Sequence, residues 1–176
     1  LNLLNDKGHS KTETMLIGII SDTHDHVQHI KKAVKIFKER EVKLVLHAGD
    51  YCSPFTIPEF KGLNLKGIFG NNDGDKYLLM SKFDEIGAEL AGDFLKLEVD
   101  GLSIALYHGT YQDITSSLIE SGRYDVVITG HTHEMVHKQF RDTIAINPGT
   151  ANGFDGKASI AFLDTETKEV EFKELD

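Results

Sequence analysis

The chain has 176 residues, is 40% hydrophobic and carries a formal charge of −9 at pH 7, the size and composition of one globular domain with a core of its own. That charge disfavours a general affinity for nucleic-acid backbone or anionic lipid, and the single cysteine, Cys52, excludes an internal disulfide framework and a thiolate zinc site. No run approaches the roughly 18 apolar residues of a membrane span, and residues 1–4 are broken by Asn2 and followed by Asn5-Asp6-Lys7, leaving no secretory apolar region; a cytoplasmic protein is expected.

Residues 1–14 are polar and aperiodic and read as an extension, held by a neighbouring copy if the chain is a homo-oligomer, ahead of a single domain over 15–176. Residues 16–20 form a short β-branched run of the kind buried on both faces of a sheet, ending at Ser21-Asp22-Thr23-His24. Val27, Ile30, Val34 and Phe37 then share one helical face, with Asp25 and Gln28 spaced as a capping box. Leu44-Val45-Leu46 is a second buried strand, completing a βαβ unit and ending at His47-Ala48-Gly49-Asp50. Ser53-Pro54 opens a short helix limited by Pro58 and Gly62. A third strand over 65–69 runs into Gly70-Asn71-Asn72-Asp73, and a helix follows over 77–86.

Residues 94–99 and 102–107 flank Asp100-Gly101, a type I′ hairpin signal, and the second of these strands ends at His108-Gly109. A helix carrying Ile114, Leu118 and Ile119 stops near Gly122. The buried strand 126–128 leads to Gly130-His131-Thr132-His133, and the remainder is β-rich, with strands expected over 135–140, 143–146, 158–163 and 170–173. The sum is an α/β protein with a mixed sheet or two packed sheets.

Asp22 and His24, Asp50, Asn71, His108, and His131 and His133 all follow strand ends, and glycines at 49, 70, 109 and 130 keep the backbone small beside Asp50, Asn71, His108 and His131. Loops at the carboxyl ends of strands in open α/β sheets converge on one crevice. Imidazole, carboxylate and amide donors without sulfur suit Mn, Fe, Co, Ni or Zn better than Ca or Mg. They are too many for one tetrahedral ion and suit two metals sharing a carboxylate, for which Asp50, alone on its loop, is the candidate bridge. Two dications against Asp22 and Asp50 leave a positive pocket in an acidic protein, which implies an anionic substrate. Such pairs generate hydroxide near neutral pH and clamp an in-line displacement, the chemistry that phosphoester hydrolysis needs.

In order and spacing, Asp22-Thr23-His24, Gly49-Asp50, Gly70-Asn71-Asn72-Asp73, Tyr107-His108-Gly109 and Gly130-His131-Thr132-His133 resemble the motif set of the calcineurin-like metallophosphoesterases, and the length resembles their small prokaryotic single-domain phosphodiesterases. The resemblance implies a four-layer α-β-β-α sandwich of two mixed sheets flanked by helices, with the dimetal site at the strand ends. It implies Asp22, His24, Asp50 and His133 around one metal, and Asp50, Asn71, His108 and His131 around the other, with manganese or nickel the leading ions. Many members carry His where this chain has Asn72; the amide can bind a phosphate oxygen but cannot deliver a proton, so diesters with good leaving groups are the expected substrates. The retromer scaffold subunit resembles the same fold and works by protein contact, which makes a non-catalytic binding module the alternative.

The other candidates read more plainly. His26 and His29 are surface groups on the first helix, and His9 and His137 belong to the leader and an ordinary strand face. His47 reads as a satisfied core histidine or a support behind the site rather than a ligand, Cys52 as a small buried hydrophobe or a lining of the pocket, Asp73 as a support for the site, and Asn147-Pro148-Gly149-Thr150 as a tight supporting turn.

Overall fold

The computed structural model describes residues 15–154 and 156–175; the expectation for residues 1–14 lies outside them. Alternation along the first strand sets the layering. In β1 (Leu16–Ile20), Ile17 and Ile19 join the core between two sheets, whereas Ile20 faces the helices on the other side. Gly18 also faces that side, where a Cβ would stand 2.6 Å from the Phe37 ring; the missing side chain lets the phenylalanine of α1 lie directly on the strand.

Sheet A runs β11-β10-β1-β2-β3-β4 and sheet B runs β5-β6-β7-β9-β8. In sheet A, β2 (Leu44–His47), β3 (Leu65–Gly67) and β4 (Glu89–Leu90) continue β1 in parallel, and β10 (Ser159–Asp164) and β11 (Val170–Glu174) add on antiparallel. In sheet B, β6 (Leu102–Tyr107), β7 (Val126–Ile128) and β9 (Thr143–Pro148) are parallel, edged by the antiparallel β5 (Phe94–Val99) and β8 (Met135–Phe140). Ile17, Ile19, Leu46, Ile104, Ile128 and Ile146 fill the space between the sheets, each fully buried aliphatic side chain contributing about 1.5–3 kcal/mol. The helices α1 (Val27–Glu39) and α2 (Lys76–Glu85) and the 3₁₀ helix Pro54–Phe60 cover sheet A, and α3 (Gln112–Glu120) lies against β9 of sheet B. This is the expected four-layer sandwich.

Local differences have local causes. The capping box does not form: His26 Nδ1 accepts the His29 N–H at 3.2 Å, while the Asp25 carboxylate accepts both the N–H and the hydroxyl of Ser53 at 2.8 and 2.7 Å. Two donors on the neighbouring loop offer Asp25 more than one helix N–H does. Pro58 lacks the N–H that an α-helical ladder needs, and its segment is a 3₁₀ helix. Strand β4 has two residues, too few for a periodic signal. The hairpin is as expected, with Asp100 and Gly101 at φ of 49° and 80°.

Candidate metal centre

The parallel strands of the two sheets end side by side, and hydrogen bonds join their loops. His108 Nδ1, after β6, lies 2.7 Å from the Ala48 carbonyl after β2. The His131 N–H, after β7, donates to Asp22 Oδ2 at 3.0 Å, and the Ala151 N–H, after β9, donates to the Ser21 carbonyl at 3.0 Å. Asp22, His24, Asp50, His131 and His133 all take left-handed backbone, with φ between 38° and 68°, a region that costs an ordinary residue about 1–2 kcal/mol. The glycines beside them are fixed by contact: a Cβ on Gly130 would sit on Ser21 Oγ, and one on Gly70 would meet the Asp50 carboxylate.

Asp22, His24 and His133 offer ligand atoms within 4.8 Å of one another, and so do Asp22, Asp50 and His108. Asp22 is common to both groups. Asp50 Oδ2 also stands between two imidazoles, 3.6 Å from His24 Nε2 and 3.3 Å from His108 Nε2, so each carboxylate spans the two halves. The His131 ring lies beside His108, with centroids 5.2 Å apart. Asn71 is exposed at the rim, where its Oδ1 accepts from Thr110 Oγ1 at 3.4 Å, on the loop that carries His108. The Asn72 side chain turns onto Asp50: its N–H and its amide Nδ2 donate to the two carboxylate oxygens at 2.8 and 2.7 Å.

These donors fit a cation. The only hydrogen on His108 that can meet the Ala48 carbonyl is Nδ1–H, which leaves the Nε2 lone pair of the neutral ring facing the Asp50 carboxylate. Two lone pairs at 3.3 Å need a positive charge between them, a proton or a metal ion. Asp22 Oδ1, His24 Nε2 and His108 Nε2 are buried without hydrogen-bond partners, and all three belong to these groups. Burial works to raise the Asp50 pKa, but the His108 imidazole 3.3 Å away and the two Asn72 donors hold it well below the carboxylate range. Asp22 is also lowered: burial opposes, and His24, His108 and Ser21 outweigh it. His24 is raised by the Asp22 carboxylate 3.7 Å away, against burial; His108 is raised by Asp50 despite its burial.

Supports that the sequence only partly revealed hold the donors. Asp73 accepts N–H groups from Asp50, Cys52 and Gly70 at 3.1, 2.9 and 2.6 Å, tying the β2 and β3 loops together as expected. Ser21 Oγ donates to Asp22 Oδ2 at 2.5 Å, and Thr150 and Asn152 donate to the Asp22 carbonyl. Asn147 Nδ2 holds the Gly130 carbonyl and Thr132 Oγ1, so the Asn147-Pro148-Gly149-Thr150 turn supports both halves. Their signal was the run of short polar side chains after β9. Of the two readings of Cys52 the structure has the pocket lining: it is half-buried with Sγ 3.2 Å from His24 Nδ1, its left-handed backbone (φ 72°) turning it toward the site. Burial and the surrounding aspartates push its thiol up to about 12, which keeps it protonated. His47 is fully buried and stacked on Tyr51, as expected.

Comparison with known proteins places this geometry. Residues 15–168 match the calcineurin-like phosphoesterase superfamily domain. The chain is 45% identical over 159 residues to phosphodiesterase MJ0936 of Methanocaldococcus jannaschii, covering 88% of this chain and 96% of that protein. A solved archaeal phosphodiesterase structure superposes with a TM-score of 0.87 at 42% identity, covering 91% of this chain and 99% of that one. Vacuolar Protein Sorting 29 of Cryptosporidium parvum, at 16% identity and a TM-score of 0.62 over 92% and 96% of the two chains, shares the fold alone. The motifs, the paired sheets and the matched length agree, and the chain belongs to the calcineurin-like phosphoesterase superfamily.

Proposed function

We propose that this protein is a dimetal-dependent phosphodiesterase. The observation that carries the reading is His108, whose tautomer is fixed by Ala48 so that its free lone pair meets that of Asp50. Asp22, His24, Asp50 and His133 would hold one divalent transition-metal ion, and Asp50, Asn71, His108 and His131 the other, with Asp50 as the bridge and Asp22 close to both. Manganese leads, with nickel, iron, cobalt and zinc sharing the same ligand preference. Bound there, the ions supply positive charge at phosphorus and a nucleophile near neutral pH for in-line displacement.

The chain's own residues do the positioning. Ser21, Thr150 and Asn152 fix Asp22, Asp73 fixes the backbone of Asp50, and Cys52 borders His24. Asn72 sits against Asp50 and, swung toward substrate, offers its amide N–H to a phosphate oxygen; it has no proton to give the leaving group. A small phosphodiester with a good leaving group is therefore the substrate, and the cytoplasm, where Cys52 stays a free thiol, is the compartment. No helix among the described residues is long and apolar enough to cross a membrane.

The test is hydrolysis of bis(p-nitrophenyl) phosphate with and without added Mn²⁺. Metal-dependent turnover is expected in the parent, with a loss of about 10³-fold or more in Asp50→Asn. Turnover without metal dependence, or an Asp50→Asn variant matching the parent, sinks the proposal.

A further inference from the structure

Two imidazoles of the donor cluster have unlike partners on the nitrogen that faces away from it. His108 Nδ1 meets the Ala48 carbonyl at 2.7 Å, whereas His24 Nδ1 meets Cys52 Sγ at 3.2 Å. In both rings Nε2 faces the carboxylates. His108 Nε2 lies 3.3 Å from Asp50, and His24 Nε2 lies 3.6 and 3.7 Å from Asp50 and Asp22. Both Nε2 atoms are buried without hydrogen-bond partners. A neutral ring that ligates through Nε2 carries its proton on Nδ1, so His24 donates to the sulfur as His108 donates to the carbonyl.

The backbone around Cys52 is tied down so that this contact is kept. Its N–H donates to Asp73 Oδ1 at 2.9 Å, and its carbonyl accepts the Gly74 N–H at 3.3 Å. The next residue, Ser53, gives its N–H and its hydroxyl to the Asp25 carboxylate, and the Asp25 N–H donates to the Tyr51 carbonyl at 3.1 Å. The His24 N–H donates to the Asp50 carbonyl at 3.1 Å, so the loops after β1 and β2 run as a short ladder with Cys52 set against His24. These bonds hold Cys52 at φ 72°, a conformation that suits glycine or asparagine better than cysteine.

We infer that Cys52 is the positioning residue of His24 and that it sets the two halves of the metal centre to unequal affinity, the half with Asp22, His24 and His133 being the looser. This rests on the dimetal reading above. A carbonyl oxygen that accepts Nδ1–H makes Nε2 a stronger donor to a metal, and losing such a partner typically weakens metal binding by about 10- to 100-fold. Ala48 gives His108 that support. A thiol sulfur accepts only weakly. Cys52 therefore fixes which nitrogen of His24 carries the proton and where the ring points, while adding little to its basicity. The ion on the His108 side binds first, and the ion on the His24 side binds second and leaves first.

The test is stepwise titration of the chelator-stripped protein with Mn²⁺ against a competing chelator, counting the ions bound at each step. The parent is expected to take two ions with affinities separated by about 10- to 100-fold. His24→Ala is expected to take away the weaker step and His108→Ala the stronger. Cys52→Asn offers an amide oxygen as acceptor in a backbone conformation that asparagine tolerates; it is expected to tighten the weaker step about tenfold and leave the stronger one unmoved. Cys52→Gly relieves the backbone and removes the acceptor. It is expected to weaken the same step without lowering the urea midpoint, a separation that a packing role alone does not produce. Two equal steps in the parent, or a weaker step identical in the parent and both Cys52 variants, overturn the role of Cys52 and leave the dimetal reading standing. A single bound ion whose affinity still follows residue 52 upholds the positioning of His24 and overturns the dimetal reading.

Discussion

His47 makes a quantitative prediction about acid stability. Its Nδ1 accepts the Gly49 N–H at 3.1 Å, so the ring proton belongs on Nε2, which lies 3.3 Å from Thr23 Oγ1. A second proton would displace the Gly49 bond inside a fully buried pocket. Burial accordingly lowers the His47 pKa from 6.5 to about 3. The unfolded chain binds that proton from pH 6.5 downward and the folded chain does not, so the stabilisation is complete above pH 6.5 and is lost as pH falls toward 3. The shift corresponds to about 5 kcal/mol in full, of which about 2 kcal/mol is lost by pH 5. In His47→Asn an amide oxygen can replace Nδ1 as acceptor but nothing titrates. The variant is expected to be less stable at pH 7, because the Tyr51 stack is lost, yet to lose about 2 kcal/mol less than the parent between pH 7 and 5. Urea unfolding of both proteins in chelator reads this difference. Equal losses would refute the neutral assignment of His47 and the tautomer argument with it.

Three further outcomes follow from the site. His24, raised by the nearby Asp22 carboxylate, and His108, raised by Asp50 against burial, must shed protons to bind metal; apparent Mn²⁺ affinity is expected to fall about tenfold per pH unit for each proton displaced as pH drops below their raised pKa values, and a pH-independent affinity between 6 and 8 in a chelator competition argues against them as ligands. Asp73→Ala removes the acceptor of three backbone N–H groups and is expected to cost about 3 kcal/mol in urea unfolding and to depress turnover, whereas an unchanged midpoint would show the two loops are held otherwise. Asn72→His is expected to raise turnover of diesters with poor leaving groups by up to about 10²-fold, and no gain there would show that proton delivery is not the missing step.

How far the sequence revealed this differs by residue. Strands such as β1 and β7 were legible because burial on both faces demands β-branched runs, and the donors because each follows the end of such a run, four of them beside glycine. Strand β4 was too short to carry a pattern, and the Asp25 to Ser53 tether depends on two loops meeting in space, which no local spacing encodes. Cys52 stayed undecided between buried filler and pocket lining because its direction is set by a left-handed backbone angle that residue type does not announce. Asn72 showed its identity in the sequence but not its bond to Asp50.

The left-handed backbone at Asp22, His24, Asp50, His131 and His133 bears on how this fold changes over generations. Glycine at His24, His131 or His133 would relieve about 1 kcal/mol of strain while removing a donor from the cluster, whereas at Asp22 and Asp50 it would also strand the groups their carboxylates hold. Losing an imidazole is therefore cheap for the scaffold, and an edge stripped of its histidines remains the same packed pair of sheets. Selection for turnover has to hold these residues in place against the fold's own preference; where that selection relaxes, the architecture stays available for other uses.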